Sequence, residues 1–168
     1  MKFKKIHKDA ITPNYATPGA AGFDLYSVEE VAIKPQETKI IHTGLEIECP
    51  EDMAVMVYPR SGISAKTTLR LANGVGVIDS DYRGELLVIM YNAAAPDLHL
   101  VPQYQLTDGK KVDAYDHDYV PHGTVVVKKG DRIAQGVLQD ITQAEFEEVD
   151  DFEGKTKRGK GGLGSTGK

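Results

Sequence analysis

Short runs of apolar and β-branched residues, separated by polar turn signals, dominate the chain. The runs are Phe3–His7, Phe23–Tyr26, Val31–Ile33, Thr38–Glu48, Ala54–Tyr58, Val75–Ile78, Leu86–Tyr91, Thr124–Val127 and Ile133–Leu138. Runs of this kind, with turns roughly every 8–12 residues, are typical of an all-β sandwich or barrel. Only two short segments, Gly62–Thr68 and Thr142–Glu148, have a pattern compatible with a helix. The pattern therefore predicts an all-β fold.

Two of these runs, Val75–Ile78 and Leu86–Tyr91, lie close together around a polar turn, which predicts a β-hairpin. The turn carries two carboxylates and a phenol, those of Asp79, Asp81 and Tyr82. Polar groups at fixed offsets on a stiff element suit the wall of a binding site. Taken alone, the segment is equally well explained as a solvated turn.

Two segments interrupt the strand pattern. Ala93–Gly123 spans 31 residues, which is too long for a structureless loop in a compact domain. Its Asp108–Gly109 pair, with partly alternating residues on each side, predicts a hairpin of its own. The tail Gly154–Lys168 has six glycines, five basic residues and no acid, so its composition is that of a flexible arm or a disordered tail.

Length and charge narrow the class of protein. A chain of 168 residues is most simply one domain with a proper core. It has no apolar run of membrane-spanning length and no signal peptide at its start, and its single cysteine, Cys49, fits a buried thiol in a reducing cytosol. We therefore expect a cytoplasmic protein. The net charge of −5 gives no general attraction to nucleic acid, so any phosphate binding must come from local basic groups.

The segment Pro59–Gly62 has the chemistry of a phosphate site. Arg60 offers a fork of donors, Ser61 a hydroxyl group, and Gly62 allows close approach of backbone amides. The glycine-rich tail could wrap further donors around phosphates. Each signal is weak by itself.

Histidines and aspartates of the long segment invite a metal interpretation. These residues are His99, Asp116, His117, Asp118 and His122. Their spacing matches no established ligand pattern, so solvated loop histidines are the preferred interpretation and no protein metal site is predicted.

Five separated stretches resemble the motifs of one family, the homotrimeric dUTPases (dUTP pyrophosphatases). In chain order they are AGFDLYS (Ala21–Ser27), PRSGISAK (Pro59–Lys66), NGVGVIDSDYRGE (Asn73–Glu85), GDRIAQ (Gly130–Gln135) and RGKGGLGSTG (Arg158–Gly167). We call them motifs 1 to 5. They stand in the family's order and span nearly the whole chain, and this combination is highly specific.

The resemblance implies a fold and an assembly. We expect a β jelly-roll subunit, a distorted β-barrel, in a homotrimer whose three active sites are each built from all three chains. Residues 1–153 would form the barrel domain, and the mobile glycine-rich arm 154–168 would close a neighbour's site. Residues 96–120, approximately, form an extra segment between motifs 3 and 4 and resemble insertions in some phage-encoded members. We expect this insertion to be an exposed hairpin-like appendage, dispensable for chemistry.

The resemblance also implies the reaction and the roles of residues. Asp79 would be the general base for attack of water at the α-phosphorus of dUTP, giving dUMP and pyrophosphate. The uracil and deoxyribose would be held by Asn73, Val77, Ile78, Leu87 and, beneath the sugar, Tyr82. The triphosphate would be held by Arg60, Ser61, Gly62, Gln135, Arg158, Ser165 and Thr166. Leu163 and Gly164 would belong to the closing arm, and Asp24 and Arg132 would support the site. Mg²⁺ would be held mainly by the triphosphate and waters.

Two departures and two alternatives accompany this interpretation. Leu163 stands where the family usually has an aromatic residue, so arm closure is expected to be weaker. Thr68 stands where a glycine is common, and a local adjustment is expected. A dCTP deaminase shares the implied fold and is one alternative. The other is a nucleotide-sensing regulator that binds a protein partner through the insertion 96–120.

Overall fold

The computed structural model describes residues 1–97, 99–113 and 119–161, and within these ranges the chain is almost entirely β. The strands are Lys2–Lys5 (β1), Phe23–Tyr26 (β2), Val31–Ile33 (β3), Thr38–Glu48 (β4), Met53–Pro59 (β5), Leu69–Leu71 (β6), Gly76–Ile78 (β7), Glu85–Asn92 (β8), Leu100–Val101 (β9), Gln103–Leu106 (β10), Lys111–Asp113 (β11), Val120–Pro121 (β12), Val125–Val127 (β13) and Arg132–Asp140 (β14). One helix, Ser61–Lys66 (α1), lies between β5 and β6. The all-β jelly-roll prediction is confirmed.

The strands form three four-stranded sheets and one two-stranded ladder. The orders are β1-β4-β8-β6, β2-β14-β5-β7 and β11-β10-β13-β3, with β12 paired to β9. Strand β8 shows why the sheets enclose a core, because its alternate residues Leu86, Val88 and Met90 are buried. They pack in one apolar cluster with buried residues of the other sheets, such as Phe23 and Val125.

The predicted hairpin between Val75–Ile78 and Leu86–Tyr91 is wrong. Strand β7 pairs with β5, with Ile78 opposite Val55, whereas β8 pairs with β4 and β6. The turn between β7 and β8 therefore crosses from one sheet to another. A short turn predicts that two runs are near each other, but each run pairs where its apolar face is buried.

The insertion forms its hairpin but is not a free appendage, so that expectation is wrong. Strands β10 and β11 pair around the Asp108–Gly109 turn, with Tyr104 opposite Val112. Strand β10 also pairs in parallel with β13, where Gln105 lies opposite Val125. The insertion thus extends a sheet of the barrel.

The base of the insertion is tied to the barrel by Asn92, which is fully buried. Its Nδ2 group donates to the backbone oxygens of Ile33 and Gly123, at 2.8 and 2.9 Å. Its Oδ1 accepts from the Thr68 hydroxyl at 2.6 Å and from the Ala94 amide at 3.1 Å. The threonine that replaces a common glycine therefore has a hydrogen-bonding partner.

The chain leaves the barrel after β14. The Ile141 amide donates to the Asp52 oxygen at 2.9 Å, and residues 142–160 are all exposed, including Phe146 at 98% and Phe152 at 86%. The helix predicted at Thr142–Glu148 is absent, since an isolated segment without a surface to pack against gains little from helix formation. Cys49 is buried, as predicted. No helix in the described ranges is long and apolar enough to cross a membrane.

Candidate active site

A pocket of about 220 Å³ lies between β7 and β8, beside the turn that connects them. Five residues predicted to hold the base and sugar line it, namely Asn73, Val77, Ile78, Tyr82 and Leu87. Strand β7 is the edge strand of its sheet. An edge strand presents backbone N–H and C=O groups on its outer side, and these can pair with the polar edge of a base. We call this cavity the β7–β8 pocket.

Tyr82 is held in the β7–β8 pocket by its own turn. Its amide donates to the Asp79 oxygen at 3.2 Å, and its phenol donates to the Glu85 backbone oxygen at 2.9 Å. A Cβ atom at Gly84 would overlap the Tyr82 ring. The glycine in motif 3 is therefore needed for this ring position.

Glu85 fixes the start of β8 through its side chain. One carboxylate oxygen lies 2.8 Å from His42 Nδ1, and the other accepts from the Gly44 amide at 2.7 Å. The hydrogen bond with Glu85 is the main cause that raises the pKa of His42 above its usual value. Sequence reasoning missed His42, because nothing in its strand pattern distinguishes it.

A second group of predicted residues meets where motifs 1, 2 and 4 come together. Arg60 Nε lies 3.1 Å from Asp24 Oδ1, and Arg132 NH1 lies 3.2 Å from Asp24 Oδ2. Arg60 also donates to the backbone oxygen of Arg132 at 3.3 Å. A nearly buried carboxylate thus orients two guanidinium groups, each of which carries five N–H donors and can bind a further anion.

The neighbouring backbone is ordered by β14. Gln135 lies opposite Asp24 in the β14–β2 ladder, and its Nε2 donates to the Pro59 oxygen at 3.0 Å. Ser61 and Gly62 begin α1 and are exposed, and a Cβ at Gly62 would meet only open space. Motif 2 therefore presents an open backbone beside the two arginines.

The arginines line a pocket of about 320 Å³, which we call the arginine pocket. Its walls are Arg60, Gly62, Ile63, Lys66, Asp131 and Arg132 from motifs 2 and 4, with Thr107 and Asp108 from the insertion. The insertion residues were not predicted to lie there. No sequence signal places them, because their proximity depends on how β10 joins the sheet.

Asp79 lies apart from both pockets in the single chain. It is exposed and lines a third surface pocket with Asp81, Glu51 and residues at the start of the tail. Arg158 is exposed in the tail, where its Nε donates to the Gly161 oxygen at 2.9 Å. Leu163, Gly164, Ser165 and Thr166 lie outside the described residues.

The histidines of the insertion form a local contact. The Nδ1 atoms of His99 and His122 lie 2.6 and 3.1 Å from the two carboxylate oxygens of Asp97. Asp116, His117 and Asp118 lie outside the described residues. Across the part of the chain that is described, no group of three or more His, Cys, Asp or Glu side chains is placed to hold a metal ion.

The model of the dUTPase family matches residues 8–103 and 119–167. This chain belongs to the dUTPase family. The part that the family model does not match, residues 104–118, lies inside the segment identified as an insertion. The family predicted from the five motifs is confirmed, and the comparisons do not favour the deaminase alternative.

Similar proteins of this dUTPase cover its whole length. The deoxyuridine 5'-triphosphate nucleotidohydrolase of Nautilia profundicola is 40% identical over 168 residues, covering 100% of this chain and 99% of that protein. That of Helicobacter hepaticus is 38% identical, covering 99% and 88%. The structure of the Staphylococcus bacteriophage 80alpha dUTPase with dUPNHPP has 32% identity and a TM-score of 0.93, covering 99% and 97%. The dUTPase of phage phi11 of S. aureus, which has a species-specific insert, has 29% identity and a TM-score of 0.84, covering 90% and 97%.

Proposed function

We propose that this chain hydrolyses dUTP to dUMP and pyrophosphate by in-line attack of water at the α-phosphorus. The observation that carries the proposal is the β7–β8 pocket, which gathers the five residues expected to hold the base and sugar. Family membership and relatives named for dUTP hydrolysis support the same reaction. The phage 80alpha dUTPase was solved with the nucleotide analogue dUPNHPP.

In this scheme the β7–β8 pocket selects the nucleoside. Asn73 and the outer backbone edge of β7 pair with the polar groups of uracil, while Val77, Ile78 and Leu87 supply apolar contact. A site that pairs every polar group of its ligand rejects analogues far better than apolar fit alone. The Tyr82 ring lies beneath the deoxyribose and occupies the space that a ribose 2′-hydroxyl would need.

The chemistry needs a base for water and cations for the phosphates. Asp79 orients the attacking water and takes its proton. Arg60, Ser61, Gly62 and Gln135 hold the triphosphate with Arg158, Ser165 and Thr166 of the arm, and these donors stabilise the charge of the departing pyrophosphate. Asp24 and Arg132 keep this cluster in place.

Magnesium fits this scheme as a partner of the substrate. The dUTPase of phage phi11 contains a structural Mg(II) ion. Mg²⁺ prefers oxygen ligands and keeps several waters, so phosphate oxygens can supply most of its coordination. The described residues hold no group of three or more acidic, His or Cys side chains suited to a metal, which is compatible with an ion held by the triphosphate and waters. When bound there, Mg²⁺ neutralises charge on the departing pyrophosphate.

A homotrimer with shared sites explains the separation of the site residues in one chain. Asp79, the β7–β8 pocket and the arginine pocket have separate linings. The tail leaves the barrel with two large aromatic side chains exposed, which gives it apolar surface to bury on another subunit. We propose that this arm, 154–168, closes over a neighbour's site.

One assay tests the reaction. Pyrophosphate release is measured from dUTP, dTTP, dCTP and UTP, each with and without Mg²⁺. We expect strong preference for dUTP and loss of turnover without Mg²⁺. Equal rates on all four nucleotides, or ammonia release from dCTP in place of pyrophosphate release from dUTP, would reject the proposal.

A protein partner for the insertion is a second proposal. Leu100 and Tyr119, at its base, are each 59% exposed, and aromatic residues are enriched at interface centres. Replacing residues 96–120 with a short Gly/Ser turn should remove specific proteins that co-purify with the chain from its native cell. An unchanged set of co-purifying proteins would identify the segment as a tolerated insertion.

A further inference from the structure

The tip of the insertion contacts two motifs of the candidate active site. The Thr107 hydroxyl donates to Asp131 Oδ2 of motif 4 at 2.7 Å. Gln105 Nε2 donates at 3.1 Å to the backbone oxygen of Lys66, which ends α1 in motif 2. These contacts connect the insertion directly with the two motifs that line the arginine pocket.

The tip is packed closely against α1. Gly109 has a φ of +90°, which favours glycine, and a Cβ atom there would lie 3.1 Å from Lys66 Cβ. Gln105 Nε2 also lies 3.2 Å from the Gly109 oxygen, so one side chain bonds both the turn and the helix end. The Asp108–Gly109 turn is therefore seated on motif 2.

Asp131 transmits the contact to the arginines. Its Oδ2 atom accepts from the Lys128 amide at 2.9 Å as well as from Thr107, so it fixes the turn that leads into Arg132. Arg132 in turn shares the Asp24 carboxylate with Arg60. The Thr107 hydroxyl thus supports a turn that sets the position of a guanidinium group.

The charge in the arginine pocket suits a polyanion. Three cationic side chains, Arg60, Lys66 and Arg132, line it together with two acidic ones. One acid, Asp131, accepts two hydrogen bonds, and the other, Asp108, is paired with Lys110 at 3.2 Å. The arginines retain further donors for the oxygens of a phosphate chain.

We propose that the insertion tip is a wall of the triphosphate subsite and that Thr107 is a positioning residue for it. The proposal rests on the proposed function, because it assumes that the arginine pocket receives the phosphates of the nucleotide. It replaces the expectation that the insertion is dispensable for chemistry. Thr107 acts through Asp131 on Arg132 and is not itself required to touch the substrate.

The test compares Thr107→Val, which removes the hydroxyl and keeps the shape, with Thr107→Ser, which retains it. Binding of dUPNHPP and of dUMP is measured by calorimetry, and KM and kcat are measured with dUTP. Thr107→Val should weaken dUPNHPP binding and raise KM by about 3- to 10-fold, the range expected for one hydrogen bond to a charged group acting indirectly. Affinity for dUMP should stay within about twofold, and Thr107→Ser should restore the wild-type values.

Thr12→Val is the matched control, since Thr12 is exposed and contributes to none of the pockets described above. It should behave as wild type, and thermal unfolding should confirm that all variants fold. Equal weakening of dUPNHPP and dUMP, or no change in either, would overturn the positioning role. Turnover of dUTP by the wild-type enzyme tests the proposed function separately, because the two binding measurements do not depend on hydrolysis.

Discussion

At the scale of single residues, the turn between β7 and β8 concentrates the chemistry. Asp79 and Tyr82 are joined by a backbone hydrogen bond of 3.2 Å, yet Tyr82 lines the β7–β8 pocket and Asp79 faces another surface. A general base must stay accessible to water, whereas a ring that selects the sugar must be held still. The exposed carboxylate and the phenol bonded to Glu85 fit these two roles.

Asp79→Asn should lower kcat for dUTP by about 10²- to 10⁴-fold, because an amide of the same shape cannot take a proton. Binding of dUPNHPP should be largely retained. Asp81→Asn removes the other carboxylate of the same turn and serves as the control, with most of the activity expected to remain. An Asp79→Asn enzyme that keeps most of its kcat would exclude this carboxylate as the base.

Tyr82→Ala should relax the discrimination against ribose, because the ring is proposed to occupy the space of a 2′-hydroxyl. The ratio of kcat/KM for UTP to that for dUTP should rise by about tenfold or more. Tyr82→Phe keeps the ring while losing the bond to Glu85, so it should preserve the discrimination. A ratio that Tyr82→Ala leaves unchanged would assign sugar selection to another group.

At the scale of elements, the sheets are held in register by a few close contacts. Gly136 in β14 lies opposite Phe23 in β2, and a Cβ atom there would overlap the buried Phe23 ring. Strands β4 and β8 meet at a register shift between His42 and Glu46, where Glu85 bonds both His42 and Gly44. Both contacts lie beside candidate site residues, so ladder and site are built together.

Gly136→Ala should destabilise the folded chain by about 1–3 kcal/mol, because the added methyl group would force the Phe23 ring to move in a packed core. Gly19→Ala is the matched control, since a Cβ at Gly19 would meet nothing within 4 Å. Urea unfolding measures both. Equal stability of the two variants would show that the Phe23 ring can shift freely.

The His42–Glu85 pair should make stability depend on pH. The pKa of folded His42 is raised by Glu85, so the pair's contribution is fully present below the unfolded pKa of about 6.5 and is lost as pH rises through the folded pKa. The difference in unfolding free energy between wild type and His42→Gln should therefore be larger at about pH 5.5 than at about pH 8.5. A difference independent of pH would mean that the pair contributes equally in both charge states.

At the scale of the whole molecule, the single chain separates the parts that the proposed reaction needs. The Asp79 carboxylate, the β7–β8 pocket and the arginine pocket have different linings, and Arg158 lies in the exposed tail. A catalytic base acts only within hydrogen-bond reach of its water. An assembly in which different chains supply these parts resolves the separation.

The trimer can be tested by mixing two inactive chains, one truncated after Phe152 and one carrying Asp79→Asn. Each alone should be nearly inactive. Mixed trimers should regain part of the activity, because some sites then combine an intact arm with an intact Asp79. Native mass spectrometry verifies trimer mass and subunit exchange, and no recovery after verified exchange would falsify a site shared in this way.

Local patterns in the sequence were enough for the strands and the family. Thr38–Glu48 and Phe23–Tyr26 were predicted with the bounds that the structure has, because the period of two is a property of neighbouring side chains. The order of the five motifs identified the family, which the family match confirms. The roles of Asp79, Tyr82 and the other site residues stay predictions.

The tertiary structure alone decided which segments meet. Strand β7 pairs with β5 rather than β8, and the insertion joins β13 and contacts Asp131 instead of standing free. The sequence determined each strand because alternation is encoded locally, whereas pairing depends on how all apolar faces of the chain are buried at once. Thr107 therefore carries no signal of its own, and only the folded sheet places its hydroxyl at the candidate phosphate site.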